Sequence, residues 1–235
     1  MCGRFTLTIE DRELLAALLG VSPEQVDAAW HPRWNLAPMQ EHFVVRARGG
    51  EDRELLRATW GLVNGWQRDR SAGARQINAR AESLEERGAY RDAFRATRCV
   101  VPADGFYEWT GDREARRPFW FHRPDGGLVL FAGLYAEARL PGETETTATF
   151  TIVTTSASGA VASIHDRMPV ILDGDDAVDG WLRPGAAPGA LHGWLRPAPQ
   201  GALVAKAVSR RVNSIAADDA ACLEEAEAET QAALF

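Results

Sequence analysis

The stretch CVVPADGFYEWTGDREARRPFWFHRPDGGLVLFAGLYAEA, residues 99–138, decides the fold. Valine, phenylalanine, tyrosine and tryptophan fill it in short runs, and glycine, proline and aspartate punctuate them, which is the pattern of strands joined by turns. Asp125-Gly126-Gly127 reads as a hairpin turn between two of the runs. Working outward, TATFTIVTTSA (147–157) and LVAKAVS (203–209) have the same β-forming character. HFVVRARGGEDRELLRATW (42–60) reads as two strands around Gly49-Gly50. Helical signals are shorter. Thr8 and Asp11 resemble a capping box ahead of Leu14, Leu15, Leu18 and Leu19, a spacing that ends at Gly20. Ser22-Pro23-Glu24 predicts a second helix with proline in its first turn. Residues 80–98 predict a helix interrupted at Gly88, and residues 175–182 and 189–195 predict two short ones. Strands with few helices between them predict an α+β fold, a single domain of mostly antiparallel, barrel-like sheets with flanking short helices. No repeat or linker marks a boundary, so residues 1–217 are expected to form one domain and residues 218–235 an acidic tail or helix.

Composition narrows the function only a little. The 235 residues are 46% hydrophobic and 25% charged, an ordinary globular balance. No apolar run approaches the roughly 20 residues that span a bilayer, and no secretory leader is evident. A soluble cytoplasmic protein with no membrane role is the expectation. Cys2, Cys99 and Cys222 are odd in number and far apart, which argues against a disulfide framework. Neither they nor the five histidines show metal-ligand spacing, so no metal or cofactor is expected. The net charge of −7 discourages nucleic acid as a partner, yet Asp218, Asp219, Glu224, Glu225, Glu227 and Glu229 all lie in the terminal stretch. Without them the chain is close to neutral. Of 26 basic residues only Lys206 is lysine, and arginine is the better fork for phosphate. Charge alone does not decide the partner, and nothing demands more than a monomer.

Four short stretches could carry chemistry. The chain opens MCGRF. With Met1 removed, Cys2 presents an α-amine and a thiol on adjacent carbons, a pair that traps aldehydes and also suits N-terminal-nucleophile hydrolysis. INARAE (77–82) follows a loop bearing Arg68, Arg70 and Arg75, GFYEW (105–109) sets Glu108 among aromatics, and SIHDRMPVIL (163–172) sets His165 before a strand. Each residue has an ordinary reading too. Cys2 could be an inert start-codon residue, Asn78 a helix N-cap, and Arg80 a surface partner of Glu82 or Asp69. Glu108 could face solvent beside Phe106, and His165 could be a loop histidine bonded by Asp166. Together they fit aldehyde condensation. The amine, with a reference pKa of about 7.7–8.0, must lose its proton before attack. A carboxyl raised by an apolar strand can then help to expel water. A histidine near neutrality can open a sugar hemiacetal, and an asparagine can orient the amine or a sugar hydroxyl.

MCGRF, NLAP (35–38), WGLVNGW (60–66), INARAE, GFYEW, RRPFWF (116–121), IHDRMPVIL (164–172) and VSRRVNS (208–214) occur in the order seen in SOS-response-associated peptidase (SRAP) proteins. The resemblance runs from Cys2 to about Ser214. It implies a single α+β domain with a DNA channel, partnered by single-stranded DNA containing abasic sites. It also implies a stable thiazolidine crosslink made by the mature N-terminal cysteine. By the resemblance, Cys2, Asn78, Glu108 and His165 are the catalytic set. Arg4 and Arg80 are expected to meet phosphates, with Asn35, Pro38, Trp66 and Arg167 as further DNA contacts. Asn64-Gly65 and Gln67 depart from the family pattern around Trp66. The runner-up is an N-terminal-nucleophile peptidase or amidase on the same Cys2, including self-removal of Met1, with no DNA role. A non-catalytic nucleic-acid binder with an incidental Cys2 is a third reading.

Overall fold

The structure is a computed structural model and describes residues 2–49, 52–112 and 116–226. In chain order its elements are β1 (Phe5–Leu7), α1 (Arg12–Leu19), β2 (Arg33–Leu36), β3 (Glu41–Gly49), β4 (Asp52–Trp60), β5 (Asn78–Arg80), α2 (Gly88–Ala96), β6 (Arg98–Ala103) and β7 (Gly105–Thr110). They continue as β8 (Arg117–His122), β9 (Val129–Ala138), β10 (Thr147–Ser156), α3 (Gly159–Ala162), β11 (Arg167–Pro169), α4 (Asp175–Leu182), α5 (Pro188–His192) and β12 (Val204–Ala207).

Two sheets hold the site. One runs β12-β8-β7-β1-β2 and is antiparallel where its pairings are described. The other runs β11-β10-β4-β3-β6-β9, and because β10 also pairs with β9, its strands β10, β4, β3, β6 and β9 close on themselves. The expected α+β domain with barrel-like, mostly antiparallel sheets is therefore what the chain forms. Closure leaves no bare edge among these strands. Parallel pairing occurs where β10 meets β4 and β5.

The sheets face each other across an aromatic core. Phe5 packs 5.1 Å from Trp60 and 6.0 Å from Phe131, and Phe106 lies 5.9 Å from Phe131, centroid to centroid. Tilted and edge-on contacts of this kind add to the burial of the rings themselves. Strand alternation sends Val44 and Val101 into this core and Val45 and Val100 into a second one, shared with Leu15, Leu19, Phe94 and Trp181 of the helices. Buried Arg98 fastens two of those helices. Its guanidinium donates to the carbonyls of Phe94, Arg95, Trp181 and Arg183, at the C-terminal ends of α2 and α4. A cation there meets the negative ends of both dipoles.

Local readings fare unevenly. α1 forms as expected and ends at Gly20 in the left-handed region, but its cap is Asp11, which accepts from the N–H groups of Glu13 and Leu14. Pro23–Gln25 makes only a single 3-10 turn, and the segment expected to be interrupted at Gly88 is so divided, with a 3-10 turn at Ala81–Ser83 before it and a helix beginning at Gly88. The Asp125-Gly126-Gly127 turn is not a hairpin: β8 pairs with β7 and β12, whereas β9 pairs with β6 and β10. The chain also changes sheets between β6 and β7. Gly105 allows this crossing, since a Cβ there would fall 2.1 Å from the Trp120 indole nitrogen. Residues 218–226 of the expected tail pack on the domain, with a 3-10 turn at Ala220–Leu223 and Cys222 buried. The remainder, 227–235, lies outside the described residues.

Candidate active site

Cys2 precedes β1 and is wholly buried at the rim of the aromatic core. Its thiol points at the Arg4 carbonyl, 3.7 Å away, and burial followed by the charge of Glu108 pushes its pKa well above the ordinary range. The Cys2 carbonyl accepts a hydrogen bond from the Asn78 amide at 2.7 Å. Asn78 is a strand residue rather than a helix cap. β5 lies parallel to β10 with Asn78 opposite Ile152, and the Tyr90 hydroxyl donates to the Asn78 carbonyl. With its amide committed to Cys2, the Asn78 side-chain oxygen is a buried acceptor that no described group meets.

Glu108 sits on β7 opposite Phe119 and is 3% exposed, so the solvent-facing alternative is excluded. Burial raises its pKa, and the positive charges of the chain's N-terminus and of His165 oppose the rise. Cys2, Glu108 and His165 thus share one electrostatic neighbourhood, and Asn78 is bonded into it. His165 lies between α3 and β11. Its Nδ1 accepts the Arg167 backbone N–H at 2.9 Å, while Asp166 Oδ1 stands 2.9 Å from the same nitrogen. These two contacts exclude one another. Nδ1 accepts the Arg167 N–H when it carries no proton and donates to Asp166 when it carries one.

The expected DNA contacts fall into two groups. Arg80 is exposed, Trp66 is 67% exposed, and Pro38 is half-buried beside an exposed Met39. The departures around Trp66 build the turn that presents it. The Asn64 N–H donates to the Gln67 side-chain oxygen at 2.6 Å, and the Gln67 N–H donates to the Asn64 carbonyl at 3.0 Å. Arg167, Asn35 and Arg4 are held by protein. Arg167 forms a fork on Glu82 at 2.7 and 2.9 Å and reaches the Thr154 carbonyl. Asn35 is wholly buried, its amide donating to the carbonyls of Val212, Ser214 and Ala217. Its expected contact with DNA gives way to a structural one. Arg4 donates to Asn35 Oδ1 at 3.1 Å and to the Val212 carbonyl at 2.9 Å.

Two positions escaped the sequence reading. Asp218, counted in the acidic tail, accepts the N–H groups of Trp34 and Asn35 and pairs with Arg33. Glu82, within a quoted motif, holds Arg167. Their partners are distant along the chain, so spacing carries no signal for either. Among the described residues no cluster of histidine, cysteine or acidic side chains could hold a metal ion, and no helix is long and apolar enough to cross a membrane.

A closed barrel backed by a second sheet, with Cys2 held by the Asn78 amide and within charge reach of buried Glu108, defines an α+β protein with a cysteine-centred candidate site. The chain belongs to the SOS response associated peptidase (SRAP) family, whose profile matches residues 1–215. Abasic site processing protein YoqW of Bacillus subtilis is 36% identical over 216 residues, covering 91% of this chain and 95% of the relative. Abasic site processing protein HMCES of Xenopus tropicalis is 31% identical, covering 80% and 68% respectively. In fold, the chain is similar to the X-ray structure of a Bacteroides thetaiotaomicron protein, with a TM-score of 0.82 at 20% identity over 95% of this chain and 99% of the other.

Proposed function

We propose that the protein processes abasic sites in single-stranded DNA by condensing its N-terminal Cys2, freed of Met1, with the aldehyde of the lesion. The observation that carries this reading is the hydrogen bond from the Asn78 amide to the Cys2 carbonyl, which ties the backbone of the cysteine to a second polar residue of the site. It fixes the backbone from which the α-amine projects, beside a carboxyl raised by burial. The names of the relatives, abasic site processing proteins, support the substrate.

The steps balance without a cofactor. His165 helps to open the sugar hemiacetal to the aldehyde. The neutral amine adds to the carbonyl carbon to give a carbinolamine. Protonated Glu108 donates to the departing hydroxyl, water leaves and an imine protonated on nitrogen forms. The Glu108 carboxylate then takes the proton of the Cys2 thiol as sulfur bonds to the imine carbon, closing a thiazolidine. One water is lost overall, and Glu108 ends protonated as it began. A raised pKa suits both halves of this cycle, because it favours the acid form before water leaves and strengthens the conjugate base that draws on a buried thiol. The free acceptor of Asn78 suits a hydroxyl of the opened sugar. Exposed Arg80 and Trp66 suit a phosphate and a base. Asn35 acts on the strand through Arg4.

Incubation with single-stranded DNA bearing one abasic site, followed by denaturing electrophoresis, tests the proposal. A shifted band for the parent and none for Cys2→Ala is expected. Equal bands, or none with the parent lacking Met1, would reject it, and loss of Met1 without any adduct would favour the peptidase alternative.

A further inference from the structure

β7 turns Glu108 toward the aromatic core and the next residue, Trp109, toward the opposite face of its sheet. Both sit at the end of β7 where β1 begins, the end at which Cys2 enters. Two arginines lie over the Trp109 ring. The Arg4 Cζ is 6.0 Å from the ring centroid and the Arg116 Cζ is 5.9 Å from it. The ring is pinned. Its indole N–H donates to Asn213 Oδ1 at 2.7 Å, and the Asn213 amide donates to the Arg116 carbonyl at 3.4 Å.

Charge sets this cluster apart. Arg53, Arg123 and Arg211 each meet carboxylates. Among the described residues no carboxylate pairs with Arg4 or Arg116, and the hydrogen-bond acceptors of the Arg4 guanidinium are an amide oxygen and a carbonyl. The Arg4 pKa is lowered by burial first and by the Arg116 charge second. Two like charges over one ring, Arg4 partly shielded from water and no counter-charge paired with either among the described residues, repel. The fold nevertheless holds them there through Asn35, Asn213 and the indole face. An anion with several oxygens relieves the repulsion and matches both forks.

We propose that Trp109, Arg4 and Arg116 form a subsite for a backbone phosphodiester of the DNA strand, at the end of the sheet that carries Cys2. The proposal rests on the reading of the chain as a DNA-lesion protein and adds Arg116, Trp109 and Asn213 to it. A strand draped over this end would meet Cys2 and Glu108 on one face and the subsite on the other. Asn213 acts by positioning the indole, which gives the VSRRVNS motif a role.

The test is the salt dependence of binding, read by fluorescence anisotropy with the full chain in a Cys2→Ala background. The probe is a labelled single strand carrying a tetrahydrofuran abasic analogue. Arg116→Gln should weaken binding several-fold and reduce the slope of log K against log salt by about 0.7, the loss of one single-strand phosphate contact. Arg116→Lys should keep the slope. Arg57→Gln removes the same charge where Asp27 and Glu41 neutralise it, and should leave both quantities at the parent value. Unchanged affinity and slope in Arg116→Gln would overturn the subsite, as would an equal effect of Arg57→Gln. Arg116 is exposed, so its replacement leaves the core intact. If the expected differences appear while a chain with Cys2 intact forms no adduct, the subsite stands and the abasic-site reading falls. If the adduct forms and Arg116→Gln changes nothing, the subsite alone falls.

Discussion

Glu108 is buried among aromatic residues, and in the proposed reaction that burial leaves a mark on stability as well as on rate. Its pKa in the fold lies above its unfolded value. The stability it contributes is therefore present below the unfolded pKa and is lost as pH rises through the folded one. Glu108→Gln is neutral at every pH. It should melt above the parent at neutral and mildly alkaline pH, and the gap should close toward about pH 4, the ordinary carboxyl value; calorimetry across that range checks it. The same variant should form the adduct about 100-fold more slowly, at the low end of what general acid–base catalysis supplies. For the parent, single-turnover rates should follow a bell in pH, rising as the amine loses its proton and falling as Glu108 loses its own. Glu108→Gln should lack the falling limb. Asn78→Ala removes one neutral hydrogen bond and should slow the reaction less. A flat parent profile, or equal rates for the two variants, would contradict these roles.

At the scale of elements, the C-terminal segment is a latch. Asp218 holds the start of β2 through two backbone N–H groups and Arg33, and from there Asn35 and the Val212 carbonyl hold Arg4. Asp218→Ala should lower stability by about 2 kcal/mol, the scale of losing charge-assisted bonds and stranding their donors. It should also weaken binding of single-stranded DNA, measurable by urea unfolding and anisotropy. This latch marks where the sequence stops being readable. Strand-forming runs, the helix ending at Gly20 and the candidate set of Cys2, Asn78, Glu108 and His165 could be picked out from the sequence, with family likeness supplying the roles proposed for them. Pairing could not. Asp125-Gly126-Gly127 has hairpin chemistry, yet its flanking strands find better partners in different sheets, a choice made by the aromatic core and not by the turn. Asn78 resembled a helix cap because nothing local reveals that β10 will lie beside it. Asp218 looked like solvated charge because its partners lie more than 180 residues earlier.

For the whole molecule, the net charge of −7 gives long-range attraction to DNA no help, so contact has to come from local arginines. Affinity for single-stranded DNA should therefore fall steeply with salt, with a slope of about −0.7 for each phosphate neutralised. A salt-independent affinity would show that stacking alone holds the strand. The closed barrel and the sheet behind it supply the rigidity that lets residues as distant in sequence as Cys2, Asn78, Glu108 and His165 meet at one end of the fold. That meeting matters only if the cysteine condenses with the lesion. The most direct measurement is the intact mass of the adduct, taken with and without borohydride during the reaction. The account predicts protein without Met1 plus DNA minus one water, unchanged by later borohydride, and no such species with Cys2→Ala. An adduct that retains Met1, or one that persists only when borohydride traps it as it forms, would contradict it.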